Sequence, residues 1–178
     1  MILANIPCSV IITEVANHKQ IKQTILDQIA DGGVYGIQNK NQKIYNTDAH
    51  MGSNFPKPYL VTAREGIIKH NIEVARLLDC PEHCTIATLN AWYQQYQKGD
   101  WHDWHSHPNC NLSNVYYVQL EEQNAKTNFK YMGQEFQIDV KEGMIITFPS
   151  YLLHNSPVNQ SYSTKTVIAY NSQIEPNQ

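Results

Sequence analysis

Thr85-Ile-Ala-Thr-Leu-Asn-Ala-Trp-Tyr93 is where the chain changes character. β-Branched and aromatic residues dominate this run, and neither Gly nor Pro interrupts it, so it reads as a strand. The pattern recurs in Val115-Tyr-Tyr-Val118, Phe129 to Tyr131, Phe136 to Val140, Met144 to Phe148 and Thr166 to Tyr170, with turn-forming residues between the runs. Short strands at such spacing build a sandwich or barrel. The expected class is therefore mainly β (α+β), with a jelly-roll core over about residues 85–172.

Upstream the periodicity is different. Ile2 to Glu14 alternates loosely and carries an early strand at Val10-Ile11-Ile12-Thr13. His18 to Asp31 places Ile21, Ile25 and Ile29 at i, i+4 and i+8 and ends at Gly32-Gly33, the pattern of an amphipathic helix. Tyr35 to Pro58 is rich in Asn, Gly, Lys and Pro and is expected to be mostly loop, with Gly36 and Gly52 as hinges should it close over a site. A second helix is signalled by a Thr62/Glu65 capping box and an apolar stripe of Ile68, Ile72 and Ala75 that runs out near Asp79. With no linker or repeat, residues 1–178 read as a single domain, the helical part (about 15–80) buttressing the jelly roll.

Composition narrows the function classes. A net charge of −3 gives no electrostatic reason for general nucleic-acid or anionic-membrane binding. Met1 to Ala16 lacks the basic start of a signal peptide, and no run approaches the length of a membrane span. Cys8, Cys80, Cys84 and Cys110 form no CxxC pair, so reduced thiols in the cytosol are expected.

Three of the eight histidines fall within Trp101-His102-Asp103-Trp104-His105-Ser106-His107-Pro108. Along an extended strand, i and i+2 point the same way, so His105 and His107 aim two imidazoles at one point. His154, which follows Met144 to Phe148 and the turn Pro149-Ser150-Tyr151, is placed to return as a third ligand. Imidazole suits Fe, Zn, Cu or Ni, so the histidines alone do not choose the metal. A helical reading would instead pair His102 with His105, and Asp103 offers an alternative ligand; Pro108 and the strand propensity favour the extended form, leaving His102 beside the centre or facing substrate. His18, His50, His70 and His83 read as ordinary surface or core histidines.

At these residues the sequence resembles the 2-oxoglutarate/Fe(II)-dependent oxygenases of phage and marine bacteria, a prolyl-hydroxylase-like branch. The resemblance runs through Asn90-Ala-Trp92, Gly99-Asp100-Trp101-His102, His105-Ser-His107-Pro108, Leu112 to Val118, Gly143 to Pro149 with His154, and Lys165 to Asn171. It implies a double-stranded β-helix, Fe(II) held by His105, His107 and His154, and 2-oxoglutarate and O2 consumed to hydroxylate a substrate with release of succinate and CO2. Lys165, eleven residues beyond His154, takes the place of the basic residue that holds the far carboxylate of 2-oxoglutarate, with Thr127, Tyr116 or Ser163 as a helping hydroxyl. Tyr93, Tyr116 and the tryptophans would line or support the pocket. The substrate, a peptide side chain or a small molecule, is left open, and the resemblance allows a homodimer formed through the helical part.

Two departures stand out. His107 occupies a position usually held by Asp or Glu, which makes a three-histidine site, and Lys165 replaces Arg, keeping the charge but losing the bidentate fork. The same letters also approach a cupin signature, since Gly99 precedes His105 by six residues. Cupins, however, add a glutamate where this chain has Asn111 or Leu112. A metal-free jelly-roll binding module is the third possibility.

Overall fold

Strands that are apolar on one or both faces must bury those faces against something, and this chain stacks two sheets to do so. The structure, a computed structural model, describes residues 8–52 and 54–176. In chain order it runs β1 (Ile11–Glu14), α1 (His18–Asp31), β2 (Ile37–Asn39), β3 (Gln42–Ile44), β4 (Asn46–Thr47), α2 (Pro58–Leu77), β5 (Cys84–Tyr96), β6 (Trp101–His105), β7 (Leu112–Gln119), β8 (Asn128–Tyr131), β9 (Gln134–Gln137), β10 (Met144–Pro149), β11 (Leu153–Ser156) and β12 (Lys165–Pro176). The major sheet has the order β1-β10-β7-β12-β5-β4 and the minor sheet β2-β3-β6-β11-β8-β9; every pairing is antiparallel. This is the expected jelly roll.

The period of two sorts side chains cleanly in the major sheet. Tyr116, Ile145 and Ile168 face α1 and α2, packing with Ile25, Ile29, Tyr59, Ala63 and Ile67. Their neighbours Tyr117, Ile146 and Val167 face the sandwich interior with Tyr96, Phe129 and Phe148. A polar chain also crosses the helix–sheet interface. Thr13 donates to His70 Nδ1 at 2.6 Å, and His70 Nε2–H donates to Thr147 at 2.6 Å, because the Thr147 hydroxyl is committed to Asn114 Oδ1. Burial pushes His70 down to about 4, so it stays neutral.

Several expectations are corrected. The segment 35–58 is mostly turn and loop as expected, but it also carries short strands: β2 and β3 form a hairpin, and β4 pairs with β5. Its turn formers punctuate short strands, with Asn39 Oδ1 accepting from the backbone N–H groups of Asn41 and Gln42 at 2.8 and 3.1 Å. β2 to β4 are held in the two sheets, whereas the stretch after Thr47 belongs to neither and places Met51 and Gly52 on the groove beside the site. α2 starts at Pro58, a turn earlier than a Thr62 cap, and the Thr62 hydroxyl donates to Gln28 on α1 at 2.9 Å. Its buried face is Tyr59, Ala63, Gly66, Ile67, His70, Asn71 and Val74, while Ile68 and Ile72 are 44% and 65% exposed. Polar His70 and Asn71 disguise that face, since both make their hydrogen bonds inward.

β9 ends at Gln137, short of Val140, because the two-residue turn Met132-Gly133, both at positive φ, sets its register against β8. β1 lies one residue later than Val10–Thr13, and the first part of the alternating Ile2–Glu14 segment falls outside the described residues. No boundary separates the helical part from the sheets, since β1 to β4 complete edges of both.

Candidate metal centre

β6 and β11 are neighbours in the minor sheet, and their register sets His105 opposite His154. His107 lies two residues beyond His105, its backbone N–H held by the Ser150 carbonyl at 2.9 Å. The metal-binding atoms of His105, His107 and His154 lie within 4.8 Å of one another, and among the described residues they form the one cluster of three or more His, Cys, Asp or Glu able to hold an ion.

Each ring is fixed from behind. His105 Nδ1 lies 2.7 Å from the Asp103 carbonyl, His154 Nδ1 3.0 Å from the Leu152 carbonyl, and His107 Nδ1 2.5 Å from Asn171 Oδ1. All three partners are acceptors, so each Nδ1 carries the hydrogen and each Nε2 presents its lone pair, the tautomer a metal requires. Burial lowers all three imidazoles, His154 to about 3, so they are uncharged near neutrality and ready to ligate. His154 is wedged by Phe148 at a 4.7 Å ring distance, and Trp92 lies 5.7 Å from His107.

The alternative ligands resolve here. Asp103 is exposed and turns its carboxylate to the Trp104 N–H at 2.8 Å. His102 lines the cavity and stacks on His105 at 3.9 Å, but is not part of the cluster.

Lys165 opens β12 and reaches the same cavity from the major sheet. It is 1% exposed. Its ammonium donates to the Ala125 carbonyl at 2.8 Å and Ser156 Oγ at 2.6 Å, and sits 4.4 Å over the Tyr96 ring. Among the described residues it has no carboxylate partner, and no Asp or Glu lines the cavity. Burial drops it to about 7. A desolvated cation without a counter-ion is costly, and the arrangement makes sense if an anion arrives from outside. Two more groups in the cavity await a partner: Ser113 Oγ and Asn155 Oδ1 are buried without a hydrogen bond.

Of the three hydroxyls considered for the co-substrate, only Thr127 lines the cavity, bonded to the Tyr117 hydroxyl at 2.8 Å. Tyr116 is corrected: it faces the helices, its hydroxyl 2.7 Å from His18 Nδ1. Ser163 is corrected too, for it sits in a polar turn with Ser161 and Asn124. Tyr93 bonds Asn46 behind the sheet, and of the tryptophans only Trp92 lines the cavity. The hydroxyl that meets Lys165 belongs to Ser156, which the sequence reading passed over; lying two residues after His154 on one strand, it was open to the same period-two reasoning. Asn171, the partner of His107, left no such local signal, because it lies 64 positions away.

The cavity adjoins an open groove lined by Met51, Lys57, Leu60, Leu89 and Pro108, and the two share Trp92 and His107. Leu89 is the extra residue of a β-bulge, since Asn90 pairs with Asn171 and Thr88 with Ser172. Such a bulge re-aims a side chain, here into the groove.

No protein-family model and no curated protein matches the sequence. Solved structures do. An oxidoreductase of the 2OG-Fe(II) oxygenase family from Burkholderia pseudomallei superposes with a TM-score of 0.72 at 11% identity, over 92% of this chain and 85% of the other. A Pseudomonas putida prolyl-4-hydroxylase gives 0.63 at 8% identity, covering 92% of each chain. The viral collagen prolyl hydroxylase of Paramecium Bursaria Chlorella virus-1, in its 2OG complex, gives 0.62 at 11% identity over 92% and 94%. The chain thus has the double-stranded β-helix fold that these oxygenases share.

Proposed function

We propose that this protein is an Fe(II)- and 2-oxoglutarate-dependent oxygenase that hydroxylates a peptide side chain or small molecule. The reading rests on one observation: three imidazoles with their Nδ1 atoms tied back and one buried, uncompensated ammonium share a cavity that contains no acid. A neutral ligand set leaves the whole charge of a divalent ion in place, and Lys165 adds another. A dianion able to bridge the two satisfies both, and 2-oxoglutarate has that form.

In this reading His105, His107 and His154 would hold the metal through their Nε2 atoms. Iron(II) bound there supplies the redox chemistry that couples decarboxylation of 2-oxoglutarate to succinate and CO2 with oxygen transfer into a substrate C–H bond. Lys165 holds the far carboxylate, with Ser156 fixing the ammonium and Thr127 beside it. The anion draws Lys165 fully into its protonated form. Phe148 and Trp92 give the cavity apolar walls that exclude water, and substrate approaches along the groove past Leu89 and His107.

The test is turnover in air with iron and 2-oxoglutarate. Succinate and CO2 are expected in equal amounts, dependent on iron and lost in both His154→Ala and Lys165→Met. Iron uptake with no succinate from the wild-type chain would instead favour a metal site that does not use 2-oxoglutarate, as in cupins.

A further inference from the structure

The metal centre leaves one cavity imidazole unused. His102 sits beside Ser156 in the β6–β11 register just as His105 sits beside His154. The Ser156 hydroxyl takes the Lys165 ammonium at 2.6 Å, so the strand partner of His102 is the residue that meets the cation, and both line the cavity. Its ring is stacked on His105, 18° from parallel, and its backbone is held on the other side by Gln42 of β3. The three ligand rings each have a hydrogen-bonded Nδ1, whereas His102 has no side-chain hydrogen bond among the described residues. Its ring N–H is therefore uncommitted within the protein and faces a cavity where an entering ligand acceptor can take it.

We propose that His102 is a co-substrate-binding residue: its ring N–H holds the carboxylate nearer the metal while Lys165 holds the far one. The pair then selects a 2-oxo diacid of matching length over shorter diacids and over monoanions such as pyruvate. The proposal rests on the oxygenase reading above.

The experiment is equilibrium binding of 2-oxoglutarate and pyruvate to the anaerobic Fe(II)-loaded protein, with iron affinity measured separately in the absence of 2-oxo acids. His102→Phe keeps the ring stack but removes the N–H; His102→Gln restores a donor. His102→Phe is expected to weaken 2-oxoglutarate roughly tenfold or more, the loss of one hydrogen bond to a charged group. His102→Gln should recover part of that loss, and iron affinity should stay within about twofold of wild type in both. Unchanged 2-oxoglutarate binding in His102→Phe, alongside a large loss in Lys165→Met, overturns the role of His102 and leaves the oxygenase reading standing. Weaker iron binding in His102→Phe also overturns it, by making the ring a support of the metal. Wild-type protein that binds iron but no 2-oxoglutarate removes both readings.

Discussion

In the major sheet both faces are covered, the helices on one side and the opposing sheet on the other; β7 is buried almost end to end and β12 is buried throughout its first half. In the minor sheet only the inner face is covered, and β9 is exposed along its whole length. The candidate site divides along the same line. Its candidate metal ligands His105 and His154 come from the half-exposed sheet and are each steadied by a hydrogen bond to the carbonyl two residues earlier. Lys165 and Asn171 come from the packed sheet and reach across to meet them. A precise site is assembled from a rigid wall and a lighter wall pinned to it.

The largest effect should come from the lighter wall. His154→Ala removes one of three neutral ligands and is expected to lower iron affinity by a hundredfold or more, roughly the scale of losing a ligand on top of the ten- to hundredfold typical of its support. Circular dichroism should stay native, since the ring is pinned by local carbonyls; loss of fold instead would mean that His154 serves packing.

Next is Lys165→Met, which should separate function from stability. Removing the ammonium is expected to weaken 2-oxoglutarate by more than tenfold, yet raise the melting temperature, because an uncompensated buried charge disappears. The pH dependence follows from the same group. In the unfolded chain Lys165 stays protonated to about 10.5, but in the folded chain only to about 7. Between those values the unfolded state binds more protons, so folding stability gains as pH rises through the window. Urea denaturation of wild type and variant across pH 7 to 10.5 should show this gain in the wild type alone; parallel curves would contradict a desolvated ammonium.

Asn171→Ala sharpens the link between the walls. It frees His107 Nδ1 and should cost roughly tenfold to a hundredfold in metal affinity with little change in melting temperature. The smallest effects on the site should come from glycines far from it. At Gly66 an added Cβ would meet Val15 at 2.8 Å, so Gly66→Ala should destabilise by about 1–3 kcal/mol without changing metal affinity. Gly133→Ala, at a φ of +77° in the exposed hairpin turn, should cost about 1 kcal/mol and likewise spare the metal.

How far these features were legible from sequence also follows the two walls. Val115-Tyr-Tyr-Val118 and Thr166 to Tyr170 announced major-sheet strands because continuous β-branched and aromatic runs have few other readings. His105 and His107 were legible through their spacing, and Lys165 through resemblance. The β2–β3 hairpin was hidden by its own turn residues, and the buried face of α2 by His70 and Asn71, polar residues whose partners lie on other elements. Long-range partnerships escaped for the same reason: nothing near Asn171 marks it as the support of His107, and the helix-facing side of Tyr116 depends on the placement of α1. Alternation tells which residues share a face. It does not say which face looks into the cavity.

The most direct measurement is an anaerobic titration of the iron-loaded protein with 2-oxoglutarate, followed by visible absorption. A charge-transfer band that saturates at one equivalent, vanishes in His154→Ala and needs far more 2-oxoglutarate in Lys165→Met is the expected result. Iron that binds tightly yet never develops the band, or a band indifferent to Lys165, would contradict a cavity built to bridge three imidazoles and a buried ammonium with one dianion.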